Sequence, residues 1–209
     1  MKELKGRTTG PLVNAFNEDP GRRNQVTANL GRKVFTTFVS HPHPEKGFVL
    51  FRFEDHLERL LQSAEALGLI YDAADFRSRL SREVHALAAS LQGGAHIYRI
   101  VFGGDEVSIF SERYTRTWPD IISLASVPIE RGFPEYKTTS AVVSVHARTE
   151  ANKRGAQEAL LIDRDGFVRE GAWSNVFWVE NGEILTPKLR LLPGITRKFV
   201  LQNFLVKER

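Results

Sequence analysis

The sequence predicts a two-domain chain of mixed α+β and α/β class. A small N-terminal α/β domain covers residues 1–127, an interdomain loop 128–136 and a C-terminal domain 137–209. Three observations predict it. Apolar residues recur at helical spacing over 55–67 and 72–91, whereas residues 31–40 alternate apolar and polar as a half-buried strand does. The segment 128–135, PIERGFPE, is polar and carries two prolines and a glycine, which marks a linker. Beyond it, two more helical stretches and several short strand-like runs follow.

Along the chain, residues 1–25 are rich in glycine, proline, asparagine and arginine, the composition of a loosely ordered arm. His41-Pro-His-Pro44 reads as a turn, and its prolines break any regular face on which the two histidines could share a metal. Residues 48–51 are a second short strand. Asp55 opens a helix, with Glu58 completing a capping box. Leu57, Leu60, Leu61, Ala64 and Leu67 form its apolar face, and Gly68 closes it. Arg59 lies flush against that stripe, where a purely solvent-facing arginine has little reason to be. A second helix over 72–91 buries Phe76, Leu80, Val84, Leu87 and Leu91 and stops at Gly93-Gly94. Residues 96–102 and 107–111 form a hairpin through Gly103-Gly104-Asp105, and 120–127 make a third strand.

In the second half, Lys137 precedes a helix over 139–154 closed by Gly155. Residues 158–163 run into the turn Arg164-Asp-Gly166, and 167–170 run back. Asp163-x-Asp165-Gly166 resembles a fragment of a calcium loop but lacks the other ligands, so a hairpin turn is the reading. Residues 176–179 and 183–186 flank Asn181-Gly182, a strong hairpin signal. Leu192-Pro-Gly-Ile-Thr-Arg197 opens a last helix with its proline in the first turn.

Composition excludes several classes. The 29 basic and 25 acidic residues are interspersed, for a net charge of +4, which argues against a nucleic-acid binder. The mild positive bias helps attract phosphorylated or carboxylate ligands. Without cysteine the chain has no disulfide, thiolate metal site or thiol nucleophile, and it fits a reducing compartment. No metal site is read from the sequence. There is no apolar leader and no run of a membrane span's length, so a cytoplasmic protein is expected.

Three features of the second half share one chemistry. Lys137, at a helix entrance near Tyr136 and Val142, has a setting where desolvation and the helix dipole favour a neutral amine. Glu170 ends a short strand and opens Glu-Gly-Ala-Trp-Ser-Asn-Val-Phe. The Leu-Pro-Gly-Ile-Thr-Arg helix start offers N–H groups to a phosphate. An amine to condense with an aldehyde, an acid for a pyridine nitrogen and N–H groups for a phosphate describe a site for an anionic aromatic aldehyde cofactor. Taken singly, each has a plainer reading: a surface lysine, a surface acid, an ordinary helix start.

Those words, with Phe-Arg-Phe-Glu-Asp-His-Leu-Glu-Arg-Leu upstream, resemble the fold-type IV pyridoxal-phosphate enzymes, the class IV aminotransferase family. That family includes branched-chain and D-amino-acid aminotransferases and aminodeoxychorismate lyase. The resemblance covers roughly residues 31–206. It implies the two-domain fold-type IV architecture and pyridoxal 5′-phosphate as cofactor. Lys137 would hold the cofactor as a Schiff base and shuttle the Cα proton, while Glu170 faces the pyridine nitrogen. Arg59, Ile195 and Thr196 would bind the phosphate, and Leu192 would pack on the ring. Ser174 and Asn175 belong to the tight loop 171–175 on the cofactor's flank. Phe35 and Thr37 match a family strand that reaches the substrate. Tyr98 and Arg99 sit where related enzymes contact substrate carboxylates.

This chain departs from the family pattern in two places. Thr36 stands where the family has an acid, and Ser140, Ala141 and Val142 stand where an Asn-Tyr pair often follows the lysine. The resemblance also implies a larger C-terminal domain than the part carried here, with further strands, a phosphate contact and part of the substrate pocket. Either the chain is a shortened family member, or a second chain fills the gap. The implied activity moves an amino group between an amino acid and a 2-oxo acid, in a homodimer. Two alternatives stay open. One is aminodeoxychorismate lyase, releasing pyruvate to give 4-aminobenzoate, toward which the missing Asn-Tyr pair leans. The other is a non-catalytic shortened homologue.

Overall fold

The computed structural model describes residues 33–69, 72–91, 93–103, 107–115, 117 and 119–209. The expected N-terminal arm and the Gly104-Asp105 part of the first hairpin turn lie outside the described residues. The chain divides into two compact units, Met1–Thr117 with Lys137–Thr139, and Trp118–Tyr136 with Ser140–Arg209.

In the first unit, β1 (Val34–His43), β2 (Gly47–Leu50), β3 (His96–Phe102) and β4 (Val107–Arg113) form one antiparallel sheet in the order β2-β1-β3-β4. Helices α1 (Phe53–Ala66) and α2 (Ala73–Ser90) share one core with it. Alternation along the strands sends Val34 and Phe38 of β1 and Tyr98, Ile100 and Phe102 of β3 into that core. There they meet Leu57, Leu60 and Ala64 of α1 and Phe76, Leu80 and Val84 of α2, the faces read from helical spacing. Each large apolar side chain buried there contributes roughly 1.5–3 kcal/mol.

Two local expectations change. His41-Pro-His-Pro44 is not wholly a turn: β1 continues through His43, paired as far as His43↔Gly47. Beyond Ser40, among the described residues, the strand pairs with β2 alone, and a proline without an N–H is tolerated on such an edge. His43 Nδ1 accepts the N–H groups of Glu45 and Lys46 at 3.3 Å each, so its ring serves the turn. The capping box at Asp55 is also absent. The helix starts at Phe53 after Arg52, whose φ of 48° is left-handed. Asp55 thus sits in the first turn, where its charge favours the helix dipole and binds Arg52 Nε at 2.5 Å.

The second unit holds two three-stranded sheets. In one, β5 (Leu124–Pro128) runs parallel to β6 (Glu158–Ile162), and β7 (Val168–Gly171) pairs antiparallel with β6. Helix α3 (Val142–Lys153) packs on β5 and β6 through Ala147 and Ala151, whose small side chains let the backbones approach. The other sheet has the order β10-β9-β8, from β8 (Trp178–Glu180), β9 (Glu183–Thr186) and β10 (Val206–Glu208). Asn181 and Gly182 both take positive φ in its hairpin, as that two-residue turn requires. Helix α4 (Ile195–Asn203) precedes β10.

The division of the chain differs from the boundary that composition places at 128–136. Strand β5, counted with the N-terminal half, pairs with β6 and belongs to the second unit. Residues 137–139, expected at or beside a helix start, pair instead with β1. Phe35 N–H donates to the Lys137 carbonyl at 3.0 Å, and Thr139 N–H donates to the Lys33 carbonyl at 2.8 Å. Helix α3 begins only at Val142. A polar, proline-bearing stretch announces a loop, but partners distant in sequence decide where its flanks go.

Candidate active site

Each unit gathers its own set of the residues singled out above. In the first, Lys137 is held by β1 through its carbonyl, and its N–H donates to Ser63 Oγ of α1 at 3.1 Å. Its Nζ lies 4.9 Å from the centroid of the Phe35 ring. The Arg99 guanidinium lies 5.1 Å from the same ring, and its Nε donates to Thr37 Oγ1 at 3.3 Å. Phe35, Thr37, Arg99 and Lys137 are thus together. Phe35 and Thr37 share a face because they are two apart on β1, and Thr37 stands opposite Arg99 in the ladder.

Tyr98 differs from its expected role. Its neighbour Arg99 faces Phe35, so alternation turns Tyr98 to the other side, into the core. Its ring stacks on Phe38 at 5.3 Å, and its hydroxyl lies 3.3 Å from Ser40 Oγ. Burial pushes its phenol pKa up, against the opposing effect of that hydrogen bond.

Arg59 is buried on α1 and donates from Nη2 to Thr36 Oγ1 at 3.3 Å. Thr36 Oγ1 lies 2.8 Å from His56 Nδ1. Arg59 can only donate, so Thr36 Oγ1 accepts from it, and the same hydroxyl pairs with His56 Nδ1 in the direction that the imidazole tautomer sets. Burial first, and then the Arg59 charge, pull the His56 imidazole down to about 3. Burial alone brings Arg59 to about 10, still protonated at neutral pH. The threonine that replaces the family's acid therefore hands Arg59 an uncharged acceptor backed by a neutral histidine.

In the second unit, Glu170 lies on β7, next to its last residue, with its side chain only 5% exposed. Its Oε1 accepts Arg131 Nε at 2.8 Å and also Arg131 Nη2, and its Oε2 accepts the Leu192 N–H at 3.0 Å. Asn175 Nδ2 donates to the Leu192 carbonyl at 2.9 Å, so the two residues bracket one leucine. A Cβ on Gly194 would fall on Asn175 Oδ1, and one on Gly171 would fall on Ser174 Oγ. The Glu-Gly-Ala-Trp-Ser-Asn and Leu-Pro-Gly words therefore close on each other, and that closeness requires their glycines. Gly194, not Pro193, is the N-cap of α4, so the proline sits before the first turn. Ile195 and Thr196 are the first two helical residues, and their N–H groups have no acceptor earlier in the helix. Arg197 instead ties α4 to its surroundings, donating to the Pro187 carbonyl at 2.7 Å and to Glu208 at 2.6 Å.

Beside Glu170 lies a pocket of about 230 Å3 whose lining includes Arg131, Pro134, Asp163, Arg169 and Arg190. Asp163 holds the turn that follows β6. Its Oδ1 accepts the N–H groups of Asp165 and Phe167 at 3.0 and 2.9 Å, and its Oδ2 takes Arg169. Burial acts to raise its carboxyl pKa, but these donors outweigh burial and hold it below the usual value.

Sequence reasoning missed Arg131, His56 and Ser63. Arg131 lies in the segment read as a linker, and no spacing marked it. His56 stood inside a recognised word without a role. Ser63 carried a signal in its place on the apolar face of α1, where a polar side chain needs a partner.

An α1- and α2-backed antiparallel sheet in one unit, and an α/β arrangement carrying a buried acid beside a helix start in the other, define a class of fold that known proteins share. The family model for amino-transferase class IV matches residues 33–209, and the chain belongs to that family. The chain is similar to branched-chain-amino-acid aminotransferase-like protein 1 of Arabidopsis thaliana, with 29% identity over 77% of this chain and 34% of the relative. A crystal structure of a branched-chain aminotransferase from the archaeon Thermoproteus uzoniensis, with norvaline, matches with TM-score 0.74 and 27% identity. That match covers 87% of this chain and 69% of the other. A putative 4-amino-4-deoxychorismate lyase shares the fold with TM-score 0.73 at 24% identity, over 87% of this chain and 75% of that one. The chain spans less than two thirds of the curated relatives it matches, 34% and 60% of two of them.

The neutral His56 ties stability to pH. In the unfolded chain its imidazole protonates near 6.5, and in the folded one near 3. Its contribution is whole above 6.5 and drains as pH falls toward 3. Urea midpoints taken from neutral to acid pH should therefore fall more steeply for the native sequence than for His56→Gln. In the second unit, Gly194→Ala should cost about 1–3 kcal/mol, the usual penalty for overpacking. Removing the obstructing side chain with Asn175→Ala should recover part of it, giving a double variant whose loss is below the sum of the singles.

Proposed function

We propose that the chain carries the cofactor-binding machinery of a pyridoxal 5′-phosphate-dependent aminotransferase that moves an amino group between an amino acid and a 2-oxo acid. One observation carries the reading: a lysine amine and an arginine guanidinium sit over the same phenylalanine ring. The first is the group a cofactor aldehyde needs, and the second is the group a substrate carboxylate needs. The remaining donors fit the cofactor as well. A buried carboxylate suits a pyridine N–H, while a buried guanidinium and the start of α4 suit a phosphate.

When bound, the cofactor supplies the electron sink for the negative charge left at the substrate Cα. Lys137 would hold the cofactor through its Nζ, and the same amine would move the proton at the substrate Cα. Arg99, oriented by Thr37, takes the substrate carboxylate in its planar fork. In the first unit Arg59 would offer a guanidinium to a phosphate. In the second unit Glu170 would offer a carboxylate to a heterocyclic N–H, the N–H groups of Ile195 and Thr196 would suit a phosphate, and Leu192, Ser174 and Asn175 would flank a ring. Phe35 shields the amine from water.

The same reading includes a homodimer in the cytoplasm. Ile121, Val142, Phe204 and Leu205 leave apolar surface exposed, of the kind subunit contacts cover. Among the described residues no helix is long and apolar enough to cross a membrane.

Incubation with pyridoxal 5′-phosphate should give a visible absorption band, and borohydride reduction should then fix the cofactor's mass on Lys137. Label on another lysine, or a band that persists in Lys137→Ala, refutes the assignment. A protein that retains no cofactor is the non-catalytic homologue. Pyruvate released without a 2-oxo acid acceptor marks the lyase. Light scattering should return twice the chain mass, and a monomer at micromolar concentration removes the homodimer.

A further inference from the structure

Arg131 lies outside every word that the sequence shares with the family. It follows β5 in the loop 129–136. Its side chain is 16% exposed, against 5% for Glu170. Nε and Nη2 both donate to Glu170 Oε1, and Nη2 also donates to the Pro134 carbonyl at 3.2 Å. Three N–H donors from two distant segments, Arg131 and Leu192, therefore fix the plane of one carboxylate.

We propose that Arg131 is the positioning residue for Glu170: it keeps this acid ionised and aimed, so that the acid can only accept a proton-bearing donor from a ligand. The inference rests on the reading of Glu170 given above. A carboxylate so deeply buried loses its hydration and tends to neutralise by taking up a proton. A neutral carboxyl opposite a heterocyclic nitrogen would donate its own proton and leave the nitrogen's charge undefined. A guanidinium is never deprotonated near neutrality, so it removes that option. Its fork also fixes direction, which an ammonium's point charge would not. Other charged groups line the pocket: Arg164, Arg169 and Arg190 against Glu130, Glu135 and Asp163. Arg169 and Arg190 lie against Asp163, whereas Arg131 makes its ion pair with Glu170.

The test reads the acid directly. Infrared spectra of the cofactor-free protein, differenced against Glu170→Gln, isolate the band of the protonated Glu170 carboxyl as pH is lowered. In the native sequence that band should emerge only below the ordinary glutamate range of about 4.3. In Arg131→Met it should emerge at a pH at least about one unit higher, a tenfold gain in proton affinity. Arg131→Lys should restore the ionised acid but not the aim. Its cofactor-loaded form should show an absorption band whose pH midpoint lies between those of the native protein and Glu170→Gln. A native band at or above the ordinary range overturns the proposal even if Arg131→Met does not fold. So does an Arg131→Met band that has not moved. The two readings fail separately. If Glu170→Gln leaves the loaded protein's pH-dependent spectrum unchanged, the role of Glu170 is lost. If that variant changes the spectrum and Arg131→Met leaves it unaltered, only Arg131 is lost.

Discussion

Lys137 owes its place to the pairing of residues 137–139 with the start of β1. Strand β2 covers that edge of β1 only from Ser40 onward, which leaves Lys33 and Phe35 with main-chain groups to satisfy. Backbone donors and acceptors in a folded interior must find partners, and the returning chain supplies them through the Lys137 carbonyl and the Thr139 N–H. The amine then stands over Phe35, beside the Arg99 that Thr37 orients. Ser63 extends the arrangement: it accepts the Lys137 N–H and donates to the Arg59 carbonyl at 2.8 Å. One serine on α1 thus touches the residue that carries the amine and the residue that carries the buried guanidinium.

The second constraint is the treatment of charge away from water. Exposed pairs such as Arg77–Glu54 and Arg79–Asp75 contribute at most about 1 kcal/mol each. The pairs of Arg131 with Glu170 and Arg169 with Asp163 are of another kind, with carboxylate side chains 5% and 0% exposed. Taking away one partner of such a pair strands a charge, at a cost of about 3–5 kcal/mol. Arg59 is handled differently again. Thr36 Oγ1, itself paired with a neutral His56, accepts one of its N–H groups where the family pattern has an acid.

Much of this was legible in residue order. The helical faces built on Leu57, Leu60 and Ala64 and on Phe76, Leu80 and Val84 are the buried ones, because an apolar stripe has one place to go. Asn181-Gly182 makes the turn its chemistry demands. The burial of Arg59 followed from its position against the stripe. The Glu-Gly-Ala-Trp-Ser-Asn and Leu-Pro-Gly words meet at Leu192, which explains their tie as two halves of one loop contact. Tyr98 and Arg99 are adjacent in sequence, yet neighbours on a strand face opposite ways, so Tyr98 enters the core while Arg99 faces Phe35. The prolines of the His-Pro-His-Pro run signal a turn in any short window, and only the open edge of β1 beyond Ser40 lets them sit in a strand.

By itself the sequence determined the buried helical faces, most of the strands, the family, and the chemical kinds present: one amine, one acid, a phosphate-ready helix start. Those are properties of short windows, where periodicity and turn chemistry act between near neighbours. Only the tertiary structure decided that 137–139 would lie along β1, that β5 would join β6, and that Arg131 would reach Glu170. Each depends on a hydrogen bond or ion pair between residues dozens of positions apart. Which of many distant donors meets a given acceptor is settled by packing, and no window of the chain contains both.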